Sequence, residues 1–308
     1  MKLEGIHHIT ATTADAPQNV DFYVRVMGLR MVKKTVNQDD PTVYHLFYAD
    51  ERGSAGSDLT FFEYPGARRG RAGGGMVHLI TWRVASEDSL DFWGERLAAE
   101  GFEVKRSPGR LRFADREGLG LELAVSHTSD RPLMADAPDV PAEHALQGFD
   151  GVRAYAAQPE RSVPLLESLG FTPAGGSESW ELRGDERGGL LSYDPAPAER
   201  ALGGAGTVHH VAWASRMDDH EAWRRQAIAG GAQPTPVIDR FYFRSIYFRE
   251  PSGVLFEIAT LGPGFDADEP IEHLGERLSL PPDYERLRGQ LERALTPLPD
   301  PRQARAAS

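Results

Sequence analysis

Apolar and polar positions recur along the chain in a fixed order, and that order repeats. Ile6-His7-His8-Ile9-Thr10 reads as a strand. Asp15 and Pro17 are helix-start signals, and Val20, Tyr23, Val24 and Met27 follow at helical spacing until Gly28. Strand-like runs come next at 30–33, 43–48 and 59–62, separated by loops rich in Asp, Gly and Ser. A second unit opens at Val77-His78-Leu79-Ile80, carries Leu90, Trp93 and Leu97 on a helix ending at Gly101, and closes in a strand at 119–125. A third opens near Val152, has its helix end at Gly170 and closes at 190–193. The fourth opens at His209-His210, carries Trp223, Ala227 and Ile228, stops at Gly230-Gly231, and closes with Pro251-Ser252-Gly253 and a strand through Glu257. From His8 to Gly28, His78 to Gly101, Arg153 to Gly170 and His210 to Gly230 the separations are 20, 23, 17 and 20 residues. The pattern predicts four βαβββ modules, an α+β fold class.

These modules predict a first domain at 5–128, a linker at 129–148, a second domain at 149–262 and a C-terminal extension at 263–308. In the extension, Pro281-Pro282 precede a short charged helix at 284–295, and 297–308 is expected to fray.

Two polar features inside the apolar strands require a reason. Side chains alternate faces along a strand, so the two histidines of a pair are expected to point apart. Glu257, between Phe256 and Ile258, is costly to bury unless it is paired, hydrogen-bonded or bound to a metal. Aligning the modules puts the lone His78 on the second histidine of each pair, so His8 and His210 take the inward position. His7 and His209 then face away or lean in beside them. The fourth residue after the turn glycine is Glu257 in module four and Glu122 in module two, but Thr60 in module one. Module three, with no histidine at its start and a residue near Ser192 at this place, offers neither ligand. Two histidines and a carboxylate with open positions form a facial triad suited to non-haem Fe(II). Spacing allows two such sets: His8, His210 and Glu257, or His8, His78 and Glu122.

The composition narrows the partners. The chain has 308 residues, 40% hydrophobic and 26% charged, with a formal net charge of −12. That balance argues against nucleic acid or an anionic membrane surface as a partner. Without cysteine, a metal must be held by nitrogen and oxygen. The first residues lack an apolar signal core and no stretch approaches a membrane span, so a cytoplasmic protein is expected. Arg68-Arg69-Gly70-Arg71 reads as a solvated loop, and Gly73-Gly74-Gly75 does not link a strand to a helix as a nucleotide-binding loop does.

The stretches GIHHIT, DFYVRVMGLRMVKKT, VYHLFYADERGSAGS, EHALQGF, VHHVAW and RSIYFREPSGVLFE resemble the vicinal oxygen chelate superfamily. Within it the chain resembles the para-diol dioxygenases that open hydroquinone rings, over nearly its whole length. The resemblance implies two vicinal oxygen chelate domains, each a curved mixed sheet forming a cup. It implies Fe(II), with Mn(II) as the alternative, held by His8, His210 and Glu257. It also implies functional roles for His7 and Thr10 beside the first ligand, His209 beside the second, and Arg240 and Tyr247 ahead of Glu257. Tyr247 would exchange a hydrogen bond with a substrate oxygen, and Arg240 would balance anionic charge. Their alternatives are a core tyrosine and a surface ion pair with Asp239 or a neighbour. The partners implied are a small aromatic substrate and O2, with self-association into a homo-oligomer left open. His78 and Glu122 depart from the family's pattern and read as a relic of duplication or a buried pair. Two other classes share the scaffold: a glyoxalase-like metal-dependent isomerase, disfavoured by Thr60 at the extra carboxylate position, and a protein that sequesters an aromatic ligand without turnover.

Overall fold

The computed structural model describes residues 1–175 and 178–299. Module one comprises β1 (Ile6–Thr13), α1 (Ala16–Val20) running into a π-helical segment (Asp21–Val26), β2 (Arg30–Val36), β3 (Tyr44–Ala49) and β4 (Asp58–Glu63). Module two comprises β5 (Met76–Val84), α2 (Glu87–Ala99), β6 (Lys105–Ser107), β7 (Arg110–Ala114) and β8 (Gly120–Val125). Module three comprises β9 (Phe149–Ala156), α3 (Val163–Ser168), β10 (Thr172–Pro173), β11 (Ser179–Arg183) and β12 (Gly188–Pro195). Module four comprises β13 (Thr207–Ser215), α4 (His220–Ala229), β14 (Ile238–Asp239), β15 (Phe243–Arg249) and β16 (Leu255–Pro263). The repeated βαβββ order is thus present, and the fold is α+β.

The local signals act as expected. Asp15 caps α1 by accepting from the Gln18 amide at 3.0 Å. Gly28 ends the helical segment with φ of +67°, and a Cβ there would lie 2.9 Å from the Val140 side chain.

The sheets cut across the division into 5–128 and 149–262. One eight-stranded sheet runs β14-β15-β16-β13-β1-β4-β3-β2, joining modules four and one. The other runs β10-β11-β12-β9-β5-β8-β7-β6, joining modules three and two. Each sheet is mixed: β1 is antiparallel to β13 and parallel to β4, and β13 is parallel to β16. The reason is pairing of first strands: β1 finds β13, and β5 finds β9, so each sheet takes one module from either half.

The first sheet curls until its flanks meet. Asp39, between β2 and β3, bonds to Arg240, between β14 and β15, although β2 and β14 are the sheet's two edges. The extension then lies against β2. Lys33 Nζ, wholly buried, donates to the Phe265 carbonyl at 3.0 Å and reaches Asp268 at 2.7 Å and Glu269 at 2.5 Å. The Ser279 amide donates to the Lys34 carbonyl, and the Tyr284 hydroxyl to the Gln38 carbonyl. This covers an edge that would otherwise offer unpaired backbone groups. The expected charged helix is a 3-10 segment (Pro282–Leu287) followed by α5 (Arg288–Ala294). Of the segment expected to fray, 300–308 lies outside the described residues. Among the described residues no helix is long and apolar enough to cross a membrane.

Candidate metal centre

The concave face of the first sheet gathers His8 from β1, His210 from β13 and Glu257 from β16. All three are buried, Glu257 completely. His8 Nε2 and His210 Nε2 lie 3.2 Å apart. Glu257 Oε2 is 2.8 Å from His210 Nε2 and 3.2 Å from His8 Nε2. Despite that proximity, Oε2 has no hydrogen bond of acceptable geometry, because the two ring nitrogens crowd it without aiming a proton at it. Its sister oxygen Oε1 accepts from Ser245 Oγ at 2.5 Å. Burial alone would push the Glu257 carboxyl up, but His8 and His210 outweigh it and hold it well below the usual carboxylate range.

Each histidine pair sits on a β-bulge. The β1–β13 register slips between Ile6 and Ile9, and again where Thr10 opposite His210 gives way to Ala11 opposite Val208. A bulge inserts one residue and re-aims side chains, so the two rings of a pair do not point apart as strict alternation requires. His7 Nδ1 comes within 2.9 Å of His8 Nδ1, and His209 Nδ1 within 2.8 Å of His210 Nδ1.

The first pair fixes its own protons. His7 Nε2 lies 3.1 Å from the Thr260 carbonyl, which can only accept, so Nε2 carries the hydrogen. Burial, then His8, pushes His7 down to about 3, so its ring is neutral and its Nδ1 is an acceptor. His8 Nδ1 must therefore donate, and His8 Nε2 is turned toward His210 and Glu257. His209 is likewise kept neutral, at about 4, by burial and by His210. Burial lowers His210 as well, partly offset by its contact with Glu257.

A cleft of about 440 Å³, counted with its mouth, opens above the three residues. Phe47, Phe62 and Phe243 form apolar walls, and Tyr247, Arg240, Asp39 and His45 supply polar ones. Tyr247 stands on β15 opposite Glu257, with its ring 5.8 Å from that of His210. Burial, then Glu257, raises its hydroxyl well above the usual tyrosine range. Arg240 makes a bidentate pair with Asp39, at 3.0 and 2.9 Å, and its Nε donates to the Tyr247 hydroxyl at 3.4 Å. Asp239 does not pair with it; its carboxylate accepts from the Phe241 amide at 2.8 Å. Phe241 takes a left-handed φ of 69°, an uncommon conformation for a bulky residue, beside the arginine that closes the mouth.

Thr10 bonds neither His7 nor His8. Its hydroxyl meets Thr60 at 2.8 Å, and Thr60 in turn meets His45 Nε2 at 2.9 Å. Reading the sequence missed Ser245, which bonds Glu257, and among the cleft residues it missed His45 and Asp39; His45 lies inside a quoted motif, but nothing marks it apart from its apolar neighbours.

The alternative set of His8, His78 and Glu122 does not assemble. His78 and Glu122 lie in the second sheet. Glu122 aligns with Thr81, three residues past His78, whereas Glu257 aligns with Ala212, two past His210. A register shift between Val77 and Leu79 accounts for the extra residue. His78 bonds Asp194 at 2.8 Å and stacks on Tyr155, while Glu122 is held by Arg110, Arg112 and Thr81, so the two are not a buried pair with each other. Among the described residues, the one cluster able to hold an ion is His8, His210 and Glu257.

Two eight-stranded mixed sheets, each built from two βαβββ modules and one of them strongly curled, define the class of protein. The chain belongs to the Glyoxalase/Bleomycin resistance protein/Dioxygenase superfamily, whose family model matches residues 5–130 and 116–258. It is 38% identical to "Putative ring-cleaving dioxygenase MhqA" of Bacillus subtilis, across 97% of this chain and 100% of that one. It is 32% identical to the chlorohydroquinone/hydroquinone 1,2-dioxygenase of Sphingobium indicum, across 96% of both chains. A crystal structure of a "putative dioxygenase" from Bacillus subtilis superposes with a TM-score of 0.89 at 38% identity, covering 97% of this chain and 98% of that one.

Proposed function

We propose that this chain is a ring-cleaving dioxygenase that inserts O2 into a hydroquinone-type ring, using Fe(II) held by His8, His210 and Glu257. The observation that carries the reading is the convergence of three buried ligand atoms, all within 4.8 Å of one another, with Glu257 Oε2 lacking a hydrogen bond of acceptable geometry. Ligand atoms about 2.1 Å from one centre and at right angles lie about 3.0 Å apart. The observed separations of 2.8, 3.2 and 3.2 Å fit that edge. Two imidazoles and one carboxylate suit iron or manganese better than a thiolate-seeking ion. The relatives supply the reaction class, since one is named a chlorohydroquinone/hydroquinone 1,2-dioxygenase and the other a "putative ring-cleaving dioxygenase".

When bound, Fe(II) supplies the charge that favours a deprotonated ring hydroxyl and the electron transfer that dioxygen chemistry needs. The chain's own residues do the rest. Phe47, Phe62 and Phe243 receive the ring and exclude water from one side of it. The Tyr247 hydroxyl accepts from Arg240 and keeps its proton, which it donates to the substrate oxygen nearest His210. Arg240 supplies positive charge at the mouth, tethered by Asp39. His7 locks the His8 ring in one tautomer, and Thr10 acts through Thr60. His209, more exposed than His210 and neutral, orients the His210 ring through the contact between their Nδ1 atoms.

The isomerase reading is disfavoured because Thr60, where a second carboxylate would stand, spends its hydroxyl on Thr10 and His45. Metal analysis of the purified protein, with oxygen uptake on hydroquinone, methylhydroquinone and catechol, tests the proposal. Iron content with O2 consumption on the para-diols is expected. Nickel or zinc with isomerisation of a thiol adduct, or tight aromatic binding without turnover, would overturn it.

A further inference from the structure

We infer that His45 holds the second ring oxygen, the one that does not reach the ion; this rests on the proposed function. The 1 and 4 positions of a benzene ring point in opposite directions, so a para-diol anchored through one oxygen carries the other away from the triad. Most polar groups of the cleft are already committed. The Arg240 Nη atoms go to Asp39, and Gln38 Nε2 to the Arg240 carbonyl at 2.7 Å. Asn37 uses its amide on the Tyr64 hydroxyl and its oxygen on the Asp39 amide. The Tyr242 hydroxyl donates to Asp268 at 3.0 Å. Tyr247 stands at the ion's end of the cleft, beside His210.

His45 differs from all of these, and from Thr35, whose unpartnered hydroxyl is sealed off. Its Nε2 is tied to Thr60, but Nδ1 has no hydrogen-bond partner among the described residues and is not sealed from the cleft it lines. Its strand, β3, lies two places from β1 in the sheet, so about 10 Å separates the two strands along the curve. The ring is held in place by Phe47 and Phe62, with centroids 4.0 and 4.4 Å away. The Thr10–Thr60 pair behind it can turn its hydroxyls either way, so His45 Nδ1 can meet a ring oxygen as donor or acceptor without a heavy atom moving. A group that is oriented on one side and open on the other recognises a ligand.

The test deletes the hydroxyl from ligand and protein in turn. Hydroquinone and phenol differ by one hydroxyl, and both are titrated anaerobically into the Fe(II)-loaded protein by calorimetry. The wild type is expected to bind hydroquinone about tenfold more tightly than phenol, the effect of one good hydrogen bond. In His45→Leu the two affinities converge, while that for phenol stays within about twofold. Thr60→Val, which loosens the imidazole but keeps it, reduces the preference to about threefold and covers the case in which the leucine variant does not fold. If the wild-type preference survives in His45→Leu, the second oxygen lies elsewhere and the inference fails. Equal weakening of both ligands makes His45 merely structural and also overturns it. If the wild type neither binds hydroquinone nor consumes O2 with it, the proposed function itself falls.

Discussion

Substituting each of the two buried carboxylates gives opposite results if the ion belongs to modules one and four. Glu257→Gln keeps an oxygen to accept from Ser245 Oγ, and its new amide can donate to His210 Nε2, 2.8 Å from the present Oε2. The metal-free protein should therefore lose less than about 1 kcal/mol. Wild type in metal at a hundredfold excess over Kd gains about 2.7 kcal/mol by linkage. For a chain of this length that is about 5 °C in Tm, taking about 2 °C per kcal/mol. Glu257→Gln should show almost none of that increment.

Glu122→Gln reverses the outcome. Glu122 is wholly buried, but its partners Arg110 and Arg112 are 45% and 53% exposed and can turn to water. The loss is then smaller than for a fully buried pair, about 2 kcal/mol or about 4 °C. The metal increment should remain at about 5 °C. Scanning calorimetry of three proteins, with and without Mn(II), reads both effects, and Fe(II) under argon repeats them. Loss of the increment in Glu122→Gln, or its retention in Glu257→Gln, refutes the assignment.

Tyr247→Phe should lower kcat for O2 uptake about tenfold with metal content unchanged, since it deletes one donor and no ligand; an unchanged kcat would leave Tyr247 a packing residue. Lys33→Met leaves the buried Glu269 with only the exposed Arg277, 3.7 Å away, and should cost about 3 kcal/mol in denaturant unfolding, with equal stability as the refuting result. Asp130 is held down to about 2 because Arg183, Arg83 and the Gly188 amide outweigh the opposing effect of burial. A carboxyl lowered on folding stabilises above its unfolded value of 3.8, and that contribution disappears as pH falls through about 2. Asp130→Asn should therefore cost about 1–2 kcal/mol at pH 7, reduced for the exposure of Arg183, and little at pH 2; a difference that does not vary with pH would contradict this.

The repeat was legible because each module is written in two periodicities with a glycine stop, and local chemistry enforces both. Glu257 was legible because a carboxylate between Phe256 and Ile258 has no ordinary reason to be there. The bulges were not, since an extra residue in a strand leaves no mark in composition. Without them, alternation predicts that His7 and His8 diverge, whereas their Nδ1 atoms meet at 2.9 Å. The latch between Asp39 and Arg240 spans 201 residues, beyond any local pattern. His45 was hidden for a different reason: a histidine between Tyr44 and Phe47 reads as one more ring in a strand, and only the curl of the sheet turns it into the cleft.

The molecule contains its own control for the metal reading. Both sheets bury a carboxylate four residues after a turn glycine, and burying such a group requires a neutralising partner. In the second sheet arginines provide it: Arg110 and Arg112 take Glu122, and Arg153 takes Asp194. In the first sheet no arginine or lysine bonds to Glu257 among the described residues. Its neighbours are two imidazole nitrogens, His210 Nε2 at 2.8 Å and His8 Nε2 at 3.2 Å. One scaffold thus surrounds two equivalent buried carboxylates in two ways. Guanidinium groups answer the charge of Glu122 from within the chain, whereas the imidazole pair beside Glu257 is the arrangement that the proposed ion would complete.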